Sequence, residues 1–108
     1  MTDVTDDQQA GVFRALADAT RRQILQDLGG RELSAGEIAS RFPISGPSVS
    51  RHLGILKGAG LVRERREANR IYYSLVGERL ALCVGNFLSA VCPDQMLLRR
   101  QRRSQEDG

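Results

Sequence analysis

At 108 residues the chain is the size of one compact domain, and a hydrophobic content of 41% suffices for one core while burying only a modest share of so small a surface. It has no run of about twenty apolar residues to cross a bilayer, and its start, MTDVTDDQQ, is too acidic for a secretory leader, so we expect a cytoplasmic protein whose two cysteines form no disulfide framework. The net charge of +3 gathers in the middle, where residues 51–79 carry seven basic and three acidic side chains against five and seven in residues 1–50, a distribution suited to a polyanion.

Nearly all of these central cations are arginine, which bonds phosphate or guanine in two-pronged fashion. Codon usage in a GC-rich genome gives the same preference.

Helical signals come first. Thr5, Asp6 and Asp7 offer N-caps to a helix whose apolar positions Val12, Phe13, Leu16 and Ala17 share one face. Asp18 caps a second helix carrying Ile24, Leu25 and Leu28, which Gly29 and Gly30 end. Arg21 and Arg22 open it and are expected in surface ion pairs. Ser34-Ala35-Gly36-Glu37 has the spacing of a capping box. Ile38, Ala39 and Phe42 give that short third helix an inner face, and Pro43 stops it. Ser45 caps a fourth helix, with Pro47 in its first turn, where no amide bond is lost. Val49, Leu53 and Leu56 form its inner stripe, and Gly58 and Gly60 end it. Two short helices joined by the tight Phe42–Ser45 connection make a helix-turn-helix.

The period then changes. Residues 61–66 (LVRERR) and 70–75 (RIYYSL) read as strands around Glu67-Ala68-Asn69, with Asn69 taking the positive φ of a hairpin turn. This arginine-rich hairpin is a wing. Of Tyr72 and Tyr73, one belongs in the core and the other points out. After Gly77 a last helix carries Leu80, Ala81, Leu82, Val84, Phe87, Leu88, Ala90 and Val91, apolar on most sides. So small a domain has little to cover it with, and its copy in a second subunit is the economical cover. Pro93 breaks or restarts this helix. The expectation is a mainly helical winged helix-turn-helix over residues 9–98, in the order α-α-α-α-β-β-α. Residues 1–8 are then a flexible N-terminus and 99–108 a mobile tail.

FRALADATRRQILQDL, LSAGEIASRF and SGPSVSRHLGILKGAGLVRERREANRIYYSL together resemble the ArsR/SmtB family of bacterial repressors, most closely its SdpR-like autorepressor branch. The likeness runs from about Phe13 to Leu75. It implies a homodimer built on the first and last helices, with Val12, Phe13, Leu80, Val84, Phe87, Leu88 and Val91 at the interface. It also implies that the fourth helix reads double-stranded operator DNA, expected to be an inverted repeat, and that the protein represses its own operon.

Recognition helices present their N-terminal part to base edges. With Val49, Leu53 and Leu56 turned inward, Arg51 lies almost opposite them, which makes it the base reader, suited to guanine O6 and N7. Pro47, Ser48, Gly54 and Ile55 flank it, and Ser48 and Ser50 are expected to meet a base or a phosphate. Ser45 is a cap before it is a DNA contact, and His52 is equally a phosphate contact and a half-buried packing residue. Arg66 and Arg70 flank the wing turn and are expected along phosphates or in the minor groove, with the Tyr72 hydroxyl beside them.

Metal-sensing members of the family use a Cys-x-Cys pair at the third helix or Asp, His and Glu on the last. Residues 33–42 contain no cysteine, and residues 80–92 contain no Asp, His or Glu. No metal, and no cofactor, is therefore expected. Cys83 and Cys92 are either small core residues or, if the last helices cross antiparallel, a thiol sensor paired across the dimer that responds to oxidant or soft metalloid. No inducer can be named. Enzyme signatures are absent: no Cys-x-x-Cys, phosphate loop or histidine–carboxylate cluster exists. A winged helix that docks on protein is the alternative of a different class. The arginines at positions 51, 66 and 70 argue against it.

Overall fold

In the computed structural model, which describes residues 4–96, the chain runs α1 (Asp6–Leu16), α2 (Ala19–Asp27), β1 (Leu33–Ser34), α3 (Ala35–Ala39), α4 (Gly46–Gly58), β2 (Val62–Glu67), β3 (Arg70–Leu75) and α5 (Gly77–Val91). A further helical turn follows over 93–96. The tail expected at 99–108 lies outside the described residues.

Four helices start where a side chain takes up an orphan amide. Thr5 and Gln8 form a reciprocal capping box at α1, with bonds of 2.9 and 3.1 Å. Helix α1 therefore begins at Asp6, inside the first eight residues expected to be flexible. Asp18 accepts from the Arg21 amide at 3.1 Å and Ser45 from the Ser48 amide at 3.2 Å. Ser34 and Glu37 repeat the capping box at α3, with bonds of 2.9 and 3.1 Å. The Ser34 amide donates to the Glu37 carboxylate and holds its pKa below the ordinary value.

The core draws on every layer. Val12 and Ala15 of α1, Ile24 and Leu25 of α2, Ile38 of α3 and Val49, Leu53 and Leu56 of α4 meet Leu61, Val62 and Tyr73 of the hairpin and Cys83 of α5. Burying each of the larger aliphatic side chains contributes about 1.5–3 kcal/mol, which fixes the inner stripe of α4 and leaves its other face outward.

Sequence periodicity gives no sign of β1. Leu33 and Ser34 pair antiparallel with Tyr73 and Tyr72, so the wing is a three-stranded sheet ordered β1-β3-β2. Two residues are too few for an alternation to register. The wing turn also differs from expectation. Glu67 pairs with Arg70, leaving Ala68 and Asn69 as the loop, and the positive φ falls on Ala68 (54°) rather than on Asn69. Gly60, with φ 77°, turns the chain from α4 into β2, and a side chain there would meet the Arg79 guanidinium at 3.1 Å.

Candidate nucleic-acid interface

Helix α4 contains no acidic residue, and Gly46 and Pro47 occupy its first turn. Ser45 and Ser48 serve the helix itself: the Ser45 hydroxyl caps the Ser48 amide and donates to the Ser48 hydroxyl at 2.9 Å. Pro47, Ser50, Arg51, Gly54 and Ile55 are exposed along one side. His52 is not among them. Only 8% exposed, it turns inward against α2, so its packing role is realised and its place on the outward face is not.

The wing follows the pairing register. Side chains alternate across a strand, so Arg66 shares the inner face with Glu64, Ile71 and Tyr73, whereas Arg70 shares the outer face with Arg65 and Tyr72. Arg66 and Arg70 thus flank the turn on opposite faces. Arg70 lines an open groove between the wing tip and the start of α3. Tyr73 is the core tyrosine. Burial first, and then the adjacent Glu64 carboxylate, raises its pKa. The Tyr72 ring lies under the Arg65 guanidinium, 4.6 Å from its centroid.

The cations from Arg41 to Arg70 sort into two groups. Arg65 binds both oxygens of Glu32 at 2.7 and 3.1 Å and also bonds Glu67, and the two carboxylates, Glu32 first, raise its pKa. Lys57 bonds Glu64 at 3.1 Å and Arg41 meets Asp27 at 3.8 Å. The Lys57 bond is the main reason the Glu64 pKa is lowered. Arg51, Arg63, Arg66 and Arg70 are all exposed, with no ion-pair or hydrogen-bond partner among the described residues. Arg63 escapes notice in sequence, because alternation alone does not tell a paired strand arginine from an unpaired one.

Arg21 and Arg22 do not make the expected ion pairs. Arg21 donates to the Ala15 and Arg14 carbonyls at 2.7 and 3.1 Å, and Arg22 to the Leu16 carbonyl at 2.7 Å. They close the C-terminal end of α1, whose last carbonyls lack helical partners.

On the far side, Phe87 and Val91 of α5 are 47% and 64% exposed, and Leu80, Val84 and Leu88 are half-buried. Phe13 packs edge-on against Phe87, centroids 5.4 Å apart. Val12 leaves the expected interface set, because it is fully buried in its own protomer. Cys92 is half-buried at the end of α5, but Cys83 is completely buried in the core. A thiol pair across a dimer needs both sulfurs on the outer face, so this geometry speaks against the sensor. Among the described residues no three His, Cys, Asp or Glu side chains converge as a metal site, and no helix is long and apolar enough to cross a membrane.

Comparisons with known proteins agree with this architecture. A helix-turn-helix domain family matches residues 16–65. The chain is 52% identical over 64 residues to the transcriptional repressor SdpR of Bacillus subtilis, a match covering 59% of this chain and 71% of that protein. It is 49% identical over 69 residues to the HTH-type transcriptional regulator KmtR of Mycobacterium tuberculosis, over 64% of this chain but only 53% of that protein. An ArsR-like transcriptional regulator from Rhodococcus sp. RHA1 superposes with a TM-score of 0.69 at 30% identity, covering 94% of this chain and 93% of that one. With the helix-turn-helix, the arginine-bearing wing and the apolar terminal helix all present in one chain so similar to these regulators, the protein belongs to the ArsR/SmtB family of DNA-binding transcriptional regulators.

Proposed function

We propose that the chain is a homodimeric repressor that binds an inverted-repeat operator in double-stranded DNA, including the DNA upstream of its own gene, and catalyses no reaction. The observation that carries this reading is the sorting of charge. Arg51 on α4 and Arg63, Arg66 and Arg70 on the wing lack carboxylate partners among the described residues, while Arg41 and Lys57 each have one and Arg65 has two. Unpaired guanidinium groups on a reading helix and its wing suit phosphate and guanine. A protein-docking wing would not need them.

In this reading Arg51 meets a base edge in the major groove, with Pro47, Ser48 and Ser50 beside it, and Arg66 and Arg70 hold phosphates. Phe13, Leu80, Val84, Phe87, Leu88 and Val91 join two protomers, so that two copies of α4 reach successive major grooves about 34–36 Å apart. The name of SdpR, a transcriptional repressor, supports repression. With neither family metal site supplied with ligands by the sequence, the protein is controlled by its own abundance.

The test is a fluorescence-anisotropy titration at physiological salt. The duplex from upstream of the protein's own gene is expected to bind at least about 1,000-fold more tightly than a shuffled duplex. Equal affinity for the two overturns sequence-specific repression.

A further inference from the structure

Arg21 stands in the first turn of α2, and all three nitrogens of its guanidinium are engaged. Nε and Nη2 donate to the Ala15 and Arg14 carbonyls of α1, while Nη1 lies 3.2 Å from Nδ1 of His52 on α4. One planar group therefore touches two helices from a third. A guanidinium only donates, so at this contact Nδ1 of His52 accepts. The ring is then the neutral tautomer with its proton on Nε2. Asp18 completes the cluster, accepting from the Arg21 amide through Oδ2, which lies 3.8 Å from the same Nδ1.

The rest of the buried attachment of α4 is apolar, its other polar tie, from Lys57 to Glu64 of β2, being exposed. Val49, Leu53 and Leu56 bury the helix but set its orientation only loosely, because hydrophobic burial has no direction. The Arg21–His52 bond does have a direction. Its other anchor, α1, carries Phe13, which packs on Phe87 of α5.

We propose that Arg21 is a positioning residue for DNA binding, clamping α4 to the C-terminal end of α1 through the Nδ1 atom of His52. The proposal rests on the reading of α4 as the DNA-reading helix. The clamp ties the aim of Arg51 to the helices expected to pair the protomers. Lysine cannot replace it, since a single ammonium cannot span three acceptors in one plane.

Two measurements on the full chain test this. Imidazole nitrogen chemical shifts read the tautomer: the wild type carries its proton on Nε2, and Arg21→Met mixes the two tautomers. Anisotropy with the upstream duplex then compares variants. His52→Asn keeps an acceptor oxygen where Nδ1 stood, and His52→Gln does not; their packing losses are similar, so the difference isolates the acceptor. Arg21→Met, Arg21→Lys and His52→Gln are expected to weaken binding about tenfold, and His52→Asn by less than about threefold. A wild-type ring protonated on Nδ1, or equal losses in the two His52 variants, overturns the clamp while leaving the DNA reading intact. Should Arg21→Met not fold, the His52 pair still decides. Wild-type protein that binds neither duplex overturns the DNA reading and the clamp with it.

Discussion

Arg51 and Arg65 carry the same side chain and are separated by their neighbours. Arg65 is held by Glu32 and Glu67 and lies over the Tyr72 ring. Arg51 is exposed on a helix with no acidic residue. Arg51→Ala should therefore cost about 1–3 kcal/mol on the upstream duplex, with little change on shuffled DNA, since one bidentate base contact is worth that much. Equal losses on both duplexes would make Arg51 a phosphate clamp instead. Ala68 is a different kind of residue, one whose backbone is strained. Its φ of 54° suits glycine, and a left-handed residue with a side chain costs about 1–2 kcal/mol. Part of that returns as unfolded-state entropy when glycine is introduced, so Ala68→Gly should stabilise the protein by about 0.5–1 kcal/mol. A thermal melt checks it, and an unchanged or lower melting temperature sinks the strain argument.

At the scale of elements, the wing is the part whose role is most open to measurement. Arg66 and Arg70 project from opposite faces of one hairpin. A wing whose edge enters a groove presents those two faces to the phosphates of opposite strands. Arg66→Ala and Arg70→Ala should each lower the slope of log affinity against log salt by about one unit, on specific and shuffled DNA alike. If neither slope moves, the wing lies outside the interface. The hairpin itself was legible from its period, α5 from its apolar run after Gly77, and the other four helices from caps that are local: Thr5, Asp18, Ser34 and Ser45 each bond an amide three residues on. What was not legible is what depends on contacts distant in sequence. Strand β1 exists because Tyr72 and Tyr73 pair with Ser34 and Leu33, and two residues carry no pattern of their own. Arg21 looked like a surface charge because its acceptors are carbonyls and a histidine on other helices, which no spacing within α2 reveals. His52 was readable only as a residue at the edge of the buried stripe, and the pairing with Arg21 decided which side of that edge it took.

For the whole molecule, the unresolved balance lies on α5. The helix gives Cys83 to the core and leaves Phe87 and Val91 largely exposed next to half-buried Leu80, Val84 and Leu88. Soluble monomers rarely leave a continuous apolar face of this kind uncovered, and in the proposed dimer a second copy would cover it with the same residues by two-fold symmetry. DNA binding should then depend on the pairing, because one protomer reaches a single half-site while two reach successive grooves. The wild type is expected to sediment at micromolar concentration with twice the 11.9 kDa mass of the chain. Phe87→Glu combined with Val91→Glu places two like charges on that face of each protomer without entering the core, since both positions are exposed. The variant should keep its helical circular dichroism, sediment as a monomer and bind the upstream duplex no better than shuffled DNA. A wild type that sediments as a monomer, or a doubly charged variant that stays dimeric, would show that α5 is not the surface that joins two chains. Loss of dimer without loss of specific binding would separate the interface from the reading of DNA and leave a single α4 and wing to account for all of the specificity.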